Sequence, residues 1–233
     1  DTIYAAKKFN EAEFLFPQSE WAPIAALMTA YVYYADDYYP DAIYELERYF
    51  KVYPNHKDKD YAHFLLAMCY YENIIDEKRD LGPLLKSKKE FEILIREFPL
   101  TDFATDAAFK IDLINDRLAG KEMYIARHYL KSKKWIPAIN RFKNILENYE
   151  STIYVEEAIH RLVETHYIVG LESEAEKYAA LLGYNYQSSQ WYKATYKIFN
   201  KDYDFSIKKF EQTKSKDKKS LLKRFVGKFK RIF

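Results

Sequence analysis

Two similar segments, FPQSEWA at residues 16–22 and FPLTDFA at residues 98–104, constrain the fold of this 233-residue chain more than any other feature. A catalytic loop is needed once, whereas a joint between stacked structural units recurs with every unit. When the proline of each joint is used as a reference, one pattern recurs with its first position at residues 5, 42, 87, 138 and 175. The spacings are therefore 37, 45, 51 and 37 residues, which indicates a repeat protein.

Each copy of the pattern places a small residue, a large apolar residue and another apolar residue at i, i+4 and i+7. This spacing describes one face of a helix, and the small residue lets a neighbouring helix approach closely. The five copies are Ala5, Phe9, Ala12 and Pro17; Ala42, Leu46, Tyr49 and Pro54; Ser87, Phe91, Leu94 and Pro99; Ala138, Phe142, Ile145 and Glu150; and Ala175, Ala179, Leu182 and Gln187.

Another helix precedes most copies and carries a small residue and a tyrosine three positions apart. We call it the first helix of the repeat, and the helix that carries the pattern the second helix. These pairs are Ala30 and Tyr33, Ala67 and Tyr70, and Ala126 and Tyr129. Together the two helices resemble the tetratricopeptide repeat, which spans about 34 residues. We predict an all-α fold, an α-solenoid of about five tetratricopeptide-like repeats. The first repeat is incomplete, and we expect its other helix upstream of Asp1.

Composition supports a helical class. The chain has only five glycines and seven prolines, too few for the turns of a many-stranded β fold, and its 48% hydrophobic content argues against disorder. The longest uncharged run, residues 21–35, is shorter than the roughly 20 residues that span a bilayer and contains Pro23. Cys69 is the only cysteine, so the chain cannot form an internal disulfide.

The charge is distributed unevenly along the chain. Residues 207–233 hold eleven basic and two acidic residues, a local charge of +9, so the rest must carry −7 to give the overall +2. We therefore predict a solenoid over residues 1–200, with halves of about 1–100 and 103–200, and a basic linker and amphipathic tail over residues 201–233. The tail residues that define its apolar and basic faces are Leu222, Lys223, Arg224, Phe225, Phe229 and Lys230.

The tail admits three interpretations. A basic amphipathic helix can lie on anionic lipid or dock on an acidic partner, and the segment can also be a disordered extension. Nucleic-acid binding is not favoured, because the acidic remainder of the chain would repel phosphate.

Two irregularities interrupt the repeats. An insertion over residues 72–86 contains Gly82 and Pro83, which break a helix. An additional helical stretch over residues 103–118 precedes the fourth repeat, so we expect the first helix of that repeat to be long.

Several stretches go beyond a general repeat. The segments FPQSEWAPIAALMTAYVYY, YPNHKDKDYAHFLLAMCYYE, KIDLINDRLAGKEMYIARHYL and WIPAINRFKNILENY resemble the BamD family of outer-membrane lipoproteins of the β-barrel assembly machinery. The resemblance implies a scaffold at the periplasmic face of the bacterial outer membrane, anchored by lipid on an N-terminal cysteine that this sequence lacks. It implies as partners the periplasmic domain of the barrel-forming subunit and unfolded outer-membrane proteins, with accessory lipoproteins as further candidates.

In a tetratricopeptide repeat the first helices line a groove, and here the groove positions of the early repeats are largely aromatic. Such a surface suits extended peptides with aromatic side chains, although each tyrosine could instead pack between helices. The candidate substrate residues are Leu27, Tyr31, Tyr34, Tyr61, Phe64, Met68 and Tyr71, with Arg79 of the insertion beside them.

The later repeats carry charged residues where the early ones carry aromatic residues. Following the resemblance, we assign the contact with the barrel-forming subunit to this region, although each charge could equally belong to a solvated helix face. The candidate partner-binding residues are Arg117, Lys121, Glu122, Arg127, Arg141, Arg161 and Glu164.

Catalytic patterns are not found. The five histidines lack metal-ligand spacing, Gly120 and Lys121 lack the upstream glycine of a phosphate-binding loop, and Cys69 has apolar neighbours. We therefore predict no enzyme activity, no cofactor and no metal site. The predicted function is a non-enzymatic scaffold for β-barrel assembly; the alternative is a general tetratricopeptide-repeat adaptor for other partners.

Overall fold

The computed structural model describes residues 1–73 and 81–199, and this part of the chain is entirely helical. The predicted all-α repeat fold is therefore confirmed. The helices of the described part are α1 Thr2–Leu15, α2 Ala22–Ala35, α3 Tyr39–Val52, α4 Lys59–Glu72, α5 Gly82–Glu97, α6 Asp102–Lys131, α7 Trp135–Asn148, α8 Val155–Ile168, α9 Glu172–Asn185 and α10 Gln190–Phe199.

Contacts divide the chain into an N-terminal unit, Asp1–Lys121, and a C-terminal unit that begins at Glu122. The boundary between these units lies inside α6. In the N-terminal unit α1 packs on α2, α2 on α3, α3 on α4 and α4 on α5. α2 also contacts α4. In the C-terminal unit α7 packs on α8, α8 on α9, and α10 on both α8 and α9. Packing between successive helices is typical of repeat proteins.

The repeat register correctly identifies the core of the second helices in the three central repeats. The three residues of each register in α3, α5 and α7 are fully buried. These residues are Ala42, Leu46 and Tyr49; Ser87, Phe91 and Leu94; and Ala138, Phe142 and Ile145.

In α1 the same register does not identify the buried residues. Ala5 and Phe9 are only partly buried and Ala12 is exposed, whereas Ala6 and Glu13 are buried. Glu13 faces α3, where its carboxylate accepts hydrogen bonds from Arg48 at 2.6 and 2.8 Å. The ion pair with α3 fixes which side of α1 turns inward.

All second helices end in the same way. An aromatic residue follows the helix, its backbone N–H donates to the carbonyl four residues earlier, and its own carbonyl accepts from the N–H three residues later. The reference prolines thus mark a recurring turn, as predicted. The aromatic residues are Phe16, Tyr53, Phe98, Tyr149 and Tyr186.

Hydroxyl side chains help to begin the helices that follow these turns. Ser19 Oγ accepts from the N–H of Trp21 at 3.2 Å, and Thr101 Oγ1 accepts from the N–H of Ala104 at 3.3 Å. A capped first turn satisfies backbone donors that have no partner inside the helix.

Both irregularities of the sequence have structural counterparts. α4 ends at Glu72 and a new helix begins at Gly82, with Pro83 in its first turn, where the missing N–H of proline costs nothing. α6 is 30 residues long, which confirms the predicted long first helix of the fourth repeat.

Candidate functional site

The N-terminal unit contains a row of aromatic side chains contributed by adjacent first helices. Tyr31 and Tyr34 lie on α2, and Tyr61 and Phe64 lie on α4. The side chain of Tyr31 is 41% exposed, and the other three are partly buried. The two residues on each helix are three positions apart and therefore share a face of that helix. Four of the predicted groove residues thus lie on two first helices that contact each other.

Phe103, at the start of α6, extends this row. Its ring centroid lies 5.5 Å from that of Tyr61 and 5.2 Å from that of Phe64. The sequence analysis did not include Phe103 among the groove residues, because the long α6 extends the first helix of the fourth repeat towards its N-terminal end. The aromatic residue directly after the capping Thr101 is the signal that could have identified it. We call Tyr31, Tyr34, Tyr61, Phe64 and Phe103 the aromatic row.

The tyrosines of the aromatic row are close enough to influence one another. Burial raises the pKa of Tyr61 to about 12, and the neighbouring Tyr31 and Tyr34 add to the rise. Burial and then the charge of Glu72 raise the pKa of Tyr34. Both phenols therefore stay protonated near neutral pH and can donate hydrogen bonds to carbonyl groups.

Two cations lie beside Tyr71, another of the predicted groove residues. The Lys110 ammonium is 5.1 Å from the ring centroid of Tyr71, and the Arg117 guanidinium carbon is 4.7 Å from it. Cations at this distance are attracted by the ring quadrupole. The structure thus brings Arg117, predicted as partner-binding, next to a predicted groove residue. Lys110, which the sequence prediction missed, joins them because it is two helical turns before Arg117.

Burial differs among the predicted groove residues. Leu27 is only 5% exposed and belongs to the hydrophobic core with Leu46 and Leu66, so its side chain is not available to a peptide in this structure. Tyr71 is 9% exposed and presents little surface besides its contacts with the two cations. Met68 is partly buried. Cys69 is buried, which raises the pKa of its thiol to about 12, so it fills the core as predicted.

A network of charged side chains occupies the corresponding region of the C-terminal unit. The carboxylate of Glu157, which is buried, accepts hydrogen bonds from Arg127 Nε at 2.9 Å and from Arg127 Nη2. Arg161 Nε also donates to it at 3.5 Å, and Arg161 Nη1 donates to Glu164 at 2.7 Å. Glu164 lies 3.4 Å from Nε2 of the buried His160. These five residues are named the charged network.

The charged network joins three of the predicted partner-binding residues into one structure. Arg127 remains exposed over 53% of its side chain, and the side chains of Arg161 and Glu164 over about one third. Burial alone would raise the pKa of Glu164, but hydrogen bonds from His160 and Arg161 outweigh it and lower the pKa. Glu164 is therefore ionised at neutral pH, and the network remains partly accessible.

The remaining predicted partner residues lie apart from this network. Arg141 Nη1 on α7 donates to both carboxylate oxygens of Glu122 on α6 at 3.0 Å. Lys121 is partly buried at the end of the N-terminal unit. Arg79 and the tail residues Leu222, Lys223, Arg224, Phe225, Phe229 and Lys230 lie outside the described residues.

The described part of the chain has neither a membrane-spanning helix nor a cluster of metal ligands. None of its helices has the length and apolarity to cross a membrane. Nor does this part contain three or more metal-ligating side chains gathered at one point.

Comparisons with known proteins agree with the resemblance in the sequence. A family model described as "Outer membrane lipoprotein" matches residues 1–181. The protein "Outer membrane protein assembly factor BamD" of Caulobacter vibrioides is 38% identical over 227 residues, which cover 97% of this chain and 73% of that protein. The protein of the same name from Rickettsia prowazekii is 42% identical over 194 residues, or 83% of this chain and 77% of that protein. The chain therefore belongs to the outer-membrane lipoprotein family of which the BamD proteins are members.

Proposed function

We propose that this protein acts in outer-membrane protein assembly as a non-enzymatic scaffold, held by lipid at the periplasmic face of the outer membrane. The names of its relatives and the family description support the general role. The finer proposal is a division of labour. The N-terminal unit captures extended segments of unfolded outer-membrane proteins, and the C-terminal unit binds the periplasmic domain of the barrel-forming subunit.

The aromatic row is the observation that carries the proposal for the N-terminal unit. Natural outer-membrane strands alternate lipid-facing apolar residues with polar ones and have aromatic girdles at both membrane interfaces. An unfolded strand can therefore offer aromatic side chains on one side of an extended backbone. The partly exposed rings of Tyr31, Tyr61 and Phe64 supply apolar area for those side chains at low entropic cost.

Polar groups beside the aromatic row suit the backbone of such a segment. The phenols of Tyr34 and Tyr61 can donate to peptide carbonyls, and the rise in their pKa values keeps them protonated well above neutral pH as well. Lys110 and Arg117 add positive charge near Tyr71. Aromatic contact area with few fixed polar partners tolerates many sequences, which a receptor for diverse precursors requires.

The charged network supports the proposal for the C-terminal unit. Charged groups at an interface determine orientation and exclude wrong partners more than they add affinity. Arg127 and Arg161 are held in place by Glu157 and Glu164, so little side-chain entropy is lost when a partner binds them.

Fluorescence titration with a labelled peptide of an aromatic-rich terminal barrel strand tests the groove. We expect Tyr31→Ala combined with Tyr34→Ala to weaken binding about tenfold or more, since one exposed and one partly buried anchor are lost. Tyr44→Ala is the matched control, because Tyr44 is 66% exposed on α3 and outside the aromatic row. Unchanged affinity in the double variant rejects the groove. Equal binding of unrelated aromatic peptides would favour the general adaptor.

A further inference from the structure

The short helix α10 follows the last repeat and is attached to α8 by a buried polar contact. Thr195 is 2% exposed and His160 is 4% exposed, and Thr195 Oγ1 lies 2.7 Å from His160 Nδ1. One turn before Thr195, the ring of Tyr192 packs on Gly183 of α9, where an added Cβ would lie only 3.1 Å from the ring. α10 is thus seated by specific contacts with both neighbouring helices.

The first turn of α10 brings Trp191 against the charged network. Its indole ring is 5.2 Å from the ring of His160. The guanidinium carbon of Arg161 lies 5.5 Å from the indole centroid, within the range of a cation–π contact. Trp191 therefore supports the face of an arginine whose N–H groups point to Glu157 and Glu164.

The polar contacts of Thr195 form a chain that leads to the same arginine. If Thr195 donates its hydroxyl proton to His160 Nδ1, the neutral imidazole carries its proton on Nε2, which faces Glu164 at 3.4 Å. The opposite tautomer would direct a lone pair at the carboxylate. The first arrangement is favourable, and it orients Glu164 towards Arg161.

Both arginines of the charged network keep unused donors. Arg161 donates from Nε and Nη1, and Arg127 from Nε and Nη2. Across residues 1–73 and 81–199 no acceptor bonds to the third nitrogen of either guanidinium. Both groups donate to the carboxylate of Glu157, and the side chains of Arg127 and Arg161 are 53% and 30% exposed, so these two nitrogens, unbonded within the described residues, belong to one partly exposed region.

We infer that α10 completes the partner-binding surface of the C-terminal unit, with Trp191 as a contact residue and Thr195 and His160 as positioning residues for Arg161. The partner presents a carboxylate to the free nitrogens of Arg127 and Arg161 and an apolar side chain to Trp191. This inference rests on the proposed function, since it takes the barrel-forming subunit as the partner.

The chemistry of the surface favours this assignment over a purely structural role for α10. Tryptophan and arginine dominate the residues that carry binding energy at protein interfaces. A guanidinium stacked on an indole is less hydrated and already oriented, so it binds a carboxylate with a smaller loss of freedom. Tyr167 and Phe199, each 41% exposed and with ring centroids 5.8 Å apart, provide apolar surface where α8 and α10 end.

The test measures the affinity of the whole protein for the purified periplasmic domain of the barrel-forming subunit from the same organism. Trp191→Leu should weaken binding about tenfold or more. Thr195→Val, which removes only the hydroxyl, should weaken it about twofold to tenfold. Thr195→Ser retains the hydroxyl and should bind as the parent does. Tyr184→Ala is the control, because Tyr184 is 86% exposed on α9.

Two additional arms make the outcomes distinct. Combining Arg161→Ala with Trp191→Leu should cost less than the product of the separate losses, because both act on one contact. Arg127→Glu tests the proposed function by itself. If Arg127→Glu weakens binding while Trp191→Leu and Thr195→Val do not, α10 has no part in the interface and the inference is overturned. If none of the variants weakens binding, the proposed partner surface is overturned as well.

Discussion

The first helices α2 and α8 have the same length but opposite chemistry on corresponding positions. The tenth residue is Tyr31 in α2 and Glu164 in α8, and the third is Ile24 in α2 and Glu157 in α8. The second helices do not differ in this way, since α3, α5 and α7 bury the same register of small and large apolar residues. The packing of the second helices is therefore constant, whereas corresponding positions of the first helices differ and can acquire different functions.

The joints show the same constancy. The five aromatic turns after α1, α3, α5, α7 and α9 share one hydrogen-bond pattern. The turns after α2, α6 and α8 share another, in which a residue with positive φ follows the helix and the next N–H reaches back five residues. A scaffold with fixed joints can vary its binding residues without losing its fold.

The largest effect should come from the shared core. Phe91 in the N-terminal unit and Phe142 in the C-terminal unit are both fully buried at the same register position. Replacing either by alanine should lower the free energy of unfolding by about 3–5 kcal/mol, because a large cavity is created. Denaturant unfolding measures this, with Phe109→Ala, 66% exposed, as the control. A small loss in one unit only would mean that the two cores are not equivalent.

The next effect concerns the positions at which the first helices differ. Exchanging the tenth residue of α2 for that of α8, as Tyr31→Glu, removes an aromatic anchor and places a charge in the aromatic row. Affinity for the barrel-strand peptide should fall about tenfold, which corresponds to about 1.4 kcal/mol. Stability should change little, because Tyr31 is 41% exposed. Peptide titration together with thermal unfolding checks both statements, and unaltered affinity would show that position ten does not distinguish the helices.

A buried carboxylate should make the N-terminal unit sensitive to acid. Burial alone would raise the pKa of Glu13, but hydrogen bonds from Arg48 and Tyr53 outweigh it, so the pKa lies below the ordinary 4.5. A lowered pKa stabilises the fold above pH 4.5, and that stabilisation disappears as the pH falls through the folded-state value.

Glu13→Gln should therefore lower the free energy of unfolding by about 1–2 kcal/mol near neutral pH, with the difference shrinking below pH 4.5. Glu164→Gln should behave alike but with a smaller difference, because about one third of its side chain is exposed. Unfolding curves at several pH values measure both variants. A difference that persists unchanged in acid would contradict the role of ionised Glu13.

The smallest effect concerns the turns. Gly170 has a φ of 81°, whereas Lys133 adopts a φ of 56° in the corresponding turn after α6. Gly170→Ala should destabilise the protein by about 1 kcal/mol, because a side chain is strained there. Lys133→Gly should be neutral or slightly stabilising, because it relieves that strain. Thermal unfolding of the pair tests this, and destabilisation by Lys133→Gly would refute the explanation.

The sequence predicted the features that repeat and missed those that depend on one particular contact. Helical periodicity was sufficient for the buried residues of α3, α5 and α7, and the positions of the turns were visible in the prolines. Helical periodicity was insufficient for α1, where the pairing of Glu13 with Arg48, 35 residues away, decides the buried face. Long-range ion pairs leave no periodic signal.

The candidate sites show the same division. The aromatic residues of α2 and α4 were predicted because they follow the repeat, but Phe103 and Lys110 were missed because the lengthened α6 shifts the counting. Arg127, Arg161 and Glu164 were predicted, while the supporting Trp191 and Thr195 were not, since they lie on a helix beyond the last register.

We expect equivalent positions on the first helices to bind different ligands in the two units. Tyr34 and Tyr167 are each the thirteenth residue of a 14-residue helix, α2 and α8 respectively. The direct measurement is photo-crosslinking from a photoreactive phenylalanine analogue placed at either position, with an unfolded barrel precursor and the periplasmic domain of the barrel-forming subunit both present. The account predicts that position 34 captures the precursor and position 167 captures the subunit domain. Capture of the same ligand from both positions, or the reverse pairing, would contradict it.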